Sequence, residues 1–362
     1  MKLLLVISLF GLLLQPAYTQ NKSTVTKDPE TLKLNSSVTA DKGDLTNNFY
    51  DNEPTYALPQ VALEIAGEVE NPGKAGFTKL QKRTVIVKET LLNEDGTNRF
   101  VGAYRYDGYS LFDILNDRIL KKKNKAEFAP IIDTYVEIEN AKGEKVIFTW
   151  GEIYYPNFLH TIIIATDVMR IVPSKTKELW PLPSESRLIV ASDLLTERNI
   201  SSPTKITVRS YPRTFTVNRE MSPLISDEML IRDNTKVMEK LTFLPESFQQ
   251  ETLHTVFYGK GRGIHSTQPF TGVDLKDLLR GKFRFNRLYL QKGLVTIVGK
   301  DGYRAVFTFS EIMNRNDQAG ILVVPQASGE DGGKFRIFPS CDFFSDRAVK
   351  AVAEIYVETI NN

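Results

Sequence analysis

The sequence predicts an α+β protein built as two tandem, β-rich domains with short helices. Three observations carry this expectation. Three blocks recur in the same order in the two halves of the chain, which marks an internal duplication. Each half has alternating apolar runs separated by a glycine-containing turn, the pattern of a β-hairpin. Each half also has one Leu-x-x-Leu/Ile-Leu stretch, enough apolar spacing for a short helix and no more.

The chain has 362 residues, 41 % hydrophobic and 25 % charged, an ordinary globular composition of a length suited to about two domains. A formal net charge of +2 gives no basis for nucleic-acid binding, and Lys121-Lys122-Lys123 reads as a solvated face. Cys341 is the single cysteine, so no intramolecular disulfide can form, and it reads as a small buried residue.

In chain order, Lys2 precedes an apolar run from Leu3 to Leu14, followed by Gln15-Pro16-Ala17-Tyr18-Thr19. This is the pattern of a secretory signal peptide over 1–19, too short to span a bilayer comfortably. Export to the periplasm or medium is expected, with no membrane span after cleavage. Residues 20–55 are polar and unpatterned and read as a flexible leader. A first domain is expected over 56–213, opening with a strand in Val61–Val69 that Asn71-Pro72-Gly73 ends, and a second strand at Thr84–Lys88. Residues 214–250, with Pro223 and Pro245, read as a linker plus the divergent start of the second copy; the second domain covers 251–362.

The repeated blocks give each domain its elements. Tyr106 to Leu115 matches Phe270 to Leu279, a turn glycine followed by a short helix. Val136 to Ile153 matches Val295 to Ile312 without a gap. There Gly299-Lys300-Asp301-Gly302 separates two alternating runs, and Ser310-Glu311-Ile312 reads as a helix cap and start. Arg187 to Val208 matches Arg336 to Val357, pairing Asp193 with Asp342 and Arg198 with Arg347. The shared Asp–Arg spacing suggests a loop brace in both copies.

Gly67-x-Val69-x-Asn71-Pro72 followed by Phe77-Thr78-Lys79-Leu80 resembles the opening of the oxidoreductase molybdopterin-binding domain, the sulfite-oxidase fold. The Phe270–Leu279 block, Asp301-Gly302-Tyr303 and Gly333 to Ile337 resemble later parts of that family. The resemblance implies two sulfite-oxidase-like domains and, in family enzymes, a cysteine thiolate on molybdenum. The matching neighbourhoods here, Val85 to Glu89 and Val256 to Lys260, contain no sulfur. Cys341 lies opposite Ser192 in a different block.

The candidate site follows from both lines. Tyr258-Gly259-Lys260-Gly261-Arg262-Gly263-Ile264-His265 is rich in backbone N–H groups and cations suited to an anion, and stands where family members contact their cofactor. It lacks the form of a nucleotide P-loop. Gly259, Lys260, Gly261, Arg262, His265 and Arg336 are therefore the candidate binding residues, with no catalytic residue and no metal ligand assigned. His160, His254 and His265 lack zinc-ligand spacing. The expected function is binding of a small anionic ligand or a protein partner, with no cofactor and no molybdenum redox chemistry. Two alternatives stay open. One is a molybdopterin-dependent oxidoreductase that holds its metal without protein sulfur. The other is a cell-surface interaction protein using the aromatics Tyr104, Tyr106, Tyr109, Trp150, Tyr154 and Tyr155.

Overall fold

The computed structural model describes residues 53–326 and 332–360; the expected signal peptide and nearly all of the expected leader lie outside them. In the first half the elements are β1 (Tyr56–Ala57), β2 (Glu64–Gly67), β3 (Gly73–Lys74), β4 (Arg83–Leu92), β5 (Asn98–Ser110), α1 (Leu111–Leu115), β6 (Thr134–Asn140), β7 (Lys145–Thr149), α2 (Trp150–Tyr154), β8 (Ile162–Arg170), β9 (Arg187–Val190) and β10 (Pro203–Ser210). The second half continues with β11 (Met229–Asp233), β12 (Lys236–Leu241), β13 (Gln250–Leu253), β14 (Phe257–Gly259), β15 (Gly263–Ser266), β16 (Phe270–Asp274), α3 (Leu275–Leu279), α4 (Arg287–Lys292), β17 (Gly293–Gly299), β18 (Arg304–Thr308), α5 (Phe309–Met313), β19 (Ile321–Pro325), β20 (Phe335–Pro339) and β21 (Val352–Thr359).

This architecture overturns the expected fold class. The protein is mostly β, with 43 % strand and 11 % helix, and its four small sheets are arranged like a four-bladed propeller rather than as two tandem sulfite-oxidase-like α+β domains. The physical reason lies in the helices. Four of them have five residues and α4 has six. At about 1.5 Å per residue such helices are too short to form a layer over a sheet. The helical spacing in the sequence was a single capped turn after a strand. Ser110, Thr149, Asp274 and Thr308 cap α1, α2, α3 and α5, each accepting a backbone N–H from the first turn. The start of α5 is thus Thr308, with Glu311 closing a capping box, two residues before the expected cap.

The duplication is nevertheless written in the strand order. One sheet runs β3-β2-β10-β6-β7 and its counterpart runs β12-β11-β21-β17-β18. In both, a short early strand pairs parallel with the closing strand: β2 with β10, and β11 with β21. The other pair of sheets shares the order β4-β5-β8-β9 and β13-β16-β19-β20. The opening strand of the second copy is therefore β11, inside the stretch that the sequence read as linker plus the divergent start of that copy. Met229–Asp233 is short and its partner is the distant last strand, so the sequence alone could not place it within that stretch.

Two other local expectations are corrected. Gly108 and Gly272 are not turn residues but lie within β5 and β16. A Cβ there would come 2.1 Å from the Ile164 carbonyl oxygen and 2.4 Å from that of Val323. Glycine lets the neighbouring strand approach closely in both copies. Lys122 is not on a solvated face either. It is buried, donating to the carbonyls of Phe128 (2.7 Å) and Pro130 and to the Asp133 carboxylate. The largest apolar core belongs to the second copy but takes in Phe128, Ile132, Tyr155 and Leu195 from the first, so the halves share a core.

Candidate functional site

The β14–β15 hairpin carries the glycine-rich stretch. Gly259 faces Gly263 across it, and Gly263 holds the positive φ of 74° that the tight tip requires. A Cβ on Gly259 would lie 2.2 Å from His265 Nε2 and 3.2 Å from Ser345 Oγ. The bare glycine lets the hairpin close against the Asp342–Arg347 loop, where the Lys260 backbone N–H meets the Asp346 carboxylate.

Beneath the tip lies a cavity of about 320 Å³ lined by Gly259, Lys260, Gly261, Arg262 and His265 together with Arg219, Asp301, Tyr303, Ser345, Asp346 and Lys350. Five of the six expected binding residues are thus brought together. The sixth is not: Arg336, on β20, stacks its guanidinium over Phe257 at 4.8 Å and Phe270 at 5.3 Å, outside the cavity lining. Burial holds its pKa below the ordinary arginine value.

The charges of the cavity are uneven. Arg219 is bound to Asp301 and stacks on Tyr303 at 4.3 Å, so its charge is compensated. Lys260, Arg262 and Lys350 are exposed and stand in no ion pair among the described residues. Asp346 is the opposing carboxylate. Burial pushes its pKa up, offset in part by Lys260, so it takes up a proton earlier on acidification than an ordinary carboxylate. Tyr303 braces this loop by donating to the Asp346 carbonyl at 2.7 Å. The sequence missed Arg219, Asp301, Asp346 and Lys350 because they come from three separate segments; only the Asp301-Gly302 turn was visible, and as a hairpin signal.

The first copy builds the corresponding hairpin differently. By strand register Leu91 and Arg99 stand where Gly259 and Gly263 stand. There the hairpin is unbroken, and Leu92 packs onto the second copy's core while its N–H donates to Glu197 Oε1 at 2.7 Å. Glu197 also pairs with Arg287 at 3.3 Å. The tip, Asn93-Glu94-Asp95-Gly96-Thr97, is acidic rather than basic.

A second cavity of about 340 Å³ lies between segments of both copies and is lined by Asn157, Phe158, Ser192, Arg315, Asp317 and Cys341 among others. Arg315 is held by both oxygens of Asp317. Burial pushes the partly buried Cys341 thiol up to about 12. The basic cavity offers ammonium, guanidinium, imidazole and backbone N–H groups and no thiolate, so it does not fit a sulfur-ligated molybdenum centre. No group of three or more His, Cys, Asp or Glu side chains placed to hold a metal occurs among the described residues. Of the aromatics considered for surface recognition, Tyr104, Tyr106, Trp150 and Tyr155 are buried, and Tyr109 and Tyr154 are half-buried. Among the described residues no helix is long and apolar enough to cross a membrane.

Neither a protein-family model nor a curated protein sequence matches the chain.

Proposed function

We propose that the protein binds a small phosphate- or sulfate-like anion in the cavity under the Phe257–Ser266 hairpin, after export from the cell. The observation that carries this reading is the convergence of Lys260, Arg262 and Lys350 on one cavity whose other arginine, Arg219, is already neutralised by Asp301. Backbone N–H groups at the glycine-rich tip add donors that only close approach makes available. The export part of the reading rests on residues 1–19 of the sequence.

Calorimetric titration of the purified protein with inorganic phosphate and with sulfate tests this reading. Saturable binding is expected, and Lys260→Ala with Arg262→Ala should weaken it at least tenfold, since each charge-assisted hydrogen bond contributes about 1.5–3 kcal/mol. Both side chains are exposed, so the melting temperature should scarcely move. Unchanged affinity in the double variant would remove this cavity from consideration.

A further inference from the structure

We propose that the outer face of the β14–β15 hairpin, together with Phe343, docks on an anionic phospholipid surface. Tyr258 and Ile264 are cross-strand partners, so they project from the same face of the hairpin. They are 39 % and 60 % exposed, and Phe343 is 52 % exposed. The Tyr258 ring lies 5.6 Å from that of Phe343, which packs edge-on against Phe344 at 4.9 Å. These side chains form one apolar patch in the open, while the buried aromatics of the first copy serve as core. At the hairpin tip a Cβ on Gly261 would meet nothing within 4 Å, so the space beside it is open. Lys260 and Arg262 flank it, exposed and outside any ion pair among the described residues.

Aromatic and aliphatic side chains beside exposed cations outside any ion pair among the described residues match an anionic bilayer interface. Tyrosine settles at headgroup depth, apolar tips enter the acyl boundary, and lysine and arginine meet the lipid phosphates. A stable protein complex needs roughly 800 Å² on each partner, which a patch of three or four side chains does not supply. A bilayer needs only the few groups that insert. The corresponding tip of the first copy carries Glu94 and Asp95 and would be repelled. Strand alternation places His265 on the opposite side of the hairpin from Ile264, toward the cavity. The patch is therefore separate from the anion cavity, though Lys260 and Arg262 border both.

The test is co-sedimentation of the purified protein with phosphatidylcholine vesicles, with and without phosphatidylglycerol, at low and high salt. Salt-sensitive binding is expected only when phosphatidylglycerol is present. Each cation near such a surface contributes about fivefold in affinity, so Lys260→Glu with Arg262→Glu should lose roughly thirtyfold or more. Tyr258→Ser with Phe343→Ser should lose about tenfold at unchanged charge while leaving phosphate titration unaltered, which separates this surface from the cavity. Lys142→Glu with Lys205→Glu, exposed positions on the first copy, should change binding by no more than about twofold. Three results would overturn the proposal: no binding to phosphatidylglycerol vesicles, binding indifferent to the Tyr258/Phe343 pair, or binding of polyglutamate alone with the same residue dependence.

Discussion

Arg198 and Arg347 occupy matching positions in the two copies, and each reaches across the junction to a threonine of the other. Arg198 Nη1 lies 3.4 Å from Thr308 Oγ1, and Arg347 Nη1 lies 3.4 Å from Thr149 Oγ1. Each guanidinium also forks onto the aspartate five residues before it, Asp193 or Asp342, and pairs with Glu152 or Glu311 of its own copy. Each lies over a matching phenylalanine, Phe148 at 4.6 Å or Phe307 at 4.3 Å. The two threonines are the N-caps of α2 and α5, so the caps of both helices and the cross-copy contacts are one network. The loop brace expected from the Asp–Arg spacing exists, and it also joins the copies.

Removing one partner from such a buried network strands the others. Arg347→Met should destabilise the protein by about 3–5 kcal/mol, because Asp342 and Glu311 would remain buried without their cation. Urea unfolding checks this, and a loss under about 1 kcal/mol would mean the junction is wetter than its burial indicates.

The same network sets a pH dependence. Its two guanidiniums face four carboxylates, and burial pushes Asp193 from 3.8 up to about 6 and raises Glu311 in the same direction. A carboxyl that holds its proton more tightly when folded stabilises the fold below its unfolded pKa. That contribution is lost as pH rises from about 4 through about 6. For Asp193 the full span is at most about 3 kcal/mol. Asp193→Asn should flatten this part of the curve, and the stability difference between wild type and variant, measured from pH 4 to 7, should change with that sign.

Gly272 has no room for a side chain, its added Cβ falling 2.4 Å from the Val323 carbonyl oxygen. Gly272→Ala should cost about 1–3 kcal/mol by overpacking β16 against β19. Gly261→Ala, in open space, is the control and should be nearly silent in the same denaturation experiment.

Cys341 should be a slow thiol. With its pKa pushed from 9.0 up to about 12, its thiolate is about a thousandfold scarcer than that of an ordinary cysteine near neutral pH. Alkylation by iodoacetamide should be slow in the native protein and fast after unfolding; rapid native labelling would contradict the burial.

Anion binding should tighten on acidification. Asp346 lines the cavity with its pKa raised by burial, so it sheds negative charge early as pH falls. Asp346→Asn should strengthen phosphate binding near neutrality and remove this part of the pH dependence, as read by titration at several pH values.

How much of this was legible in the sequence depends on the range of each signal. Alternation over Val295–Val298 and the Asp301-Gly302 turn act within a few residues, whereas the cap of α5 was read two residues late, at Ser310 instead of Thr308. The glycine-rich stretch was found because its composition is unusual over a short window. Arg336 was drawn in by likeness to the late strand of the molybdopterin-binding family, and it stacks on Phe257 and Phe270 outside the cavity lining.

By itself the sequence determined the repeated blocks, the Asp301-Gly302 hairpin and the short helices α1 and α3, since each depends on period and turn chemistry among neighbours. Only the tertiary structure decided the fold class, because strand partners such as Glu64–Gly67 and Pro203–Ser210 find each other over distances that leave no local pattern. It also decided which charges are buried. Arg304 is fully buried against Asp133 and Glu127 of the other copy, while Lys260 and Lys350 stay open at a cavity. A lysine or arginine carries the same charge in either place; whether it braces a core or meets a ligand follows from what the distant chain packs against it.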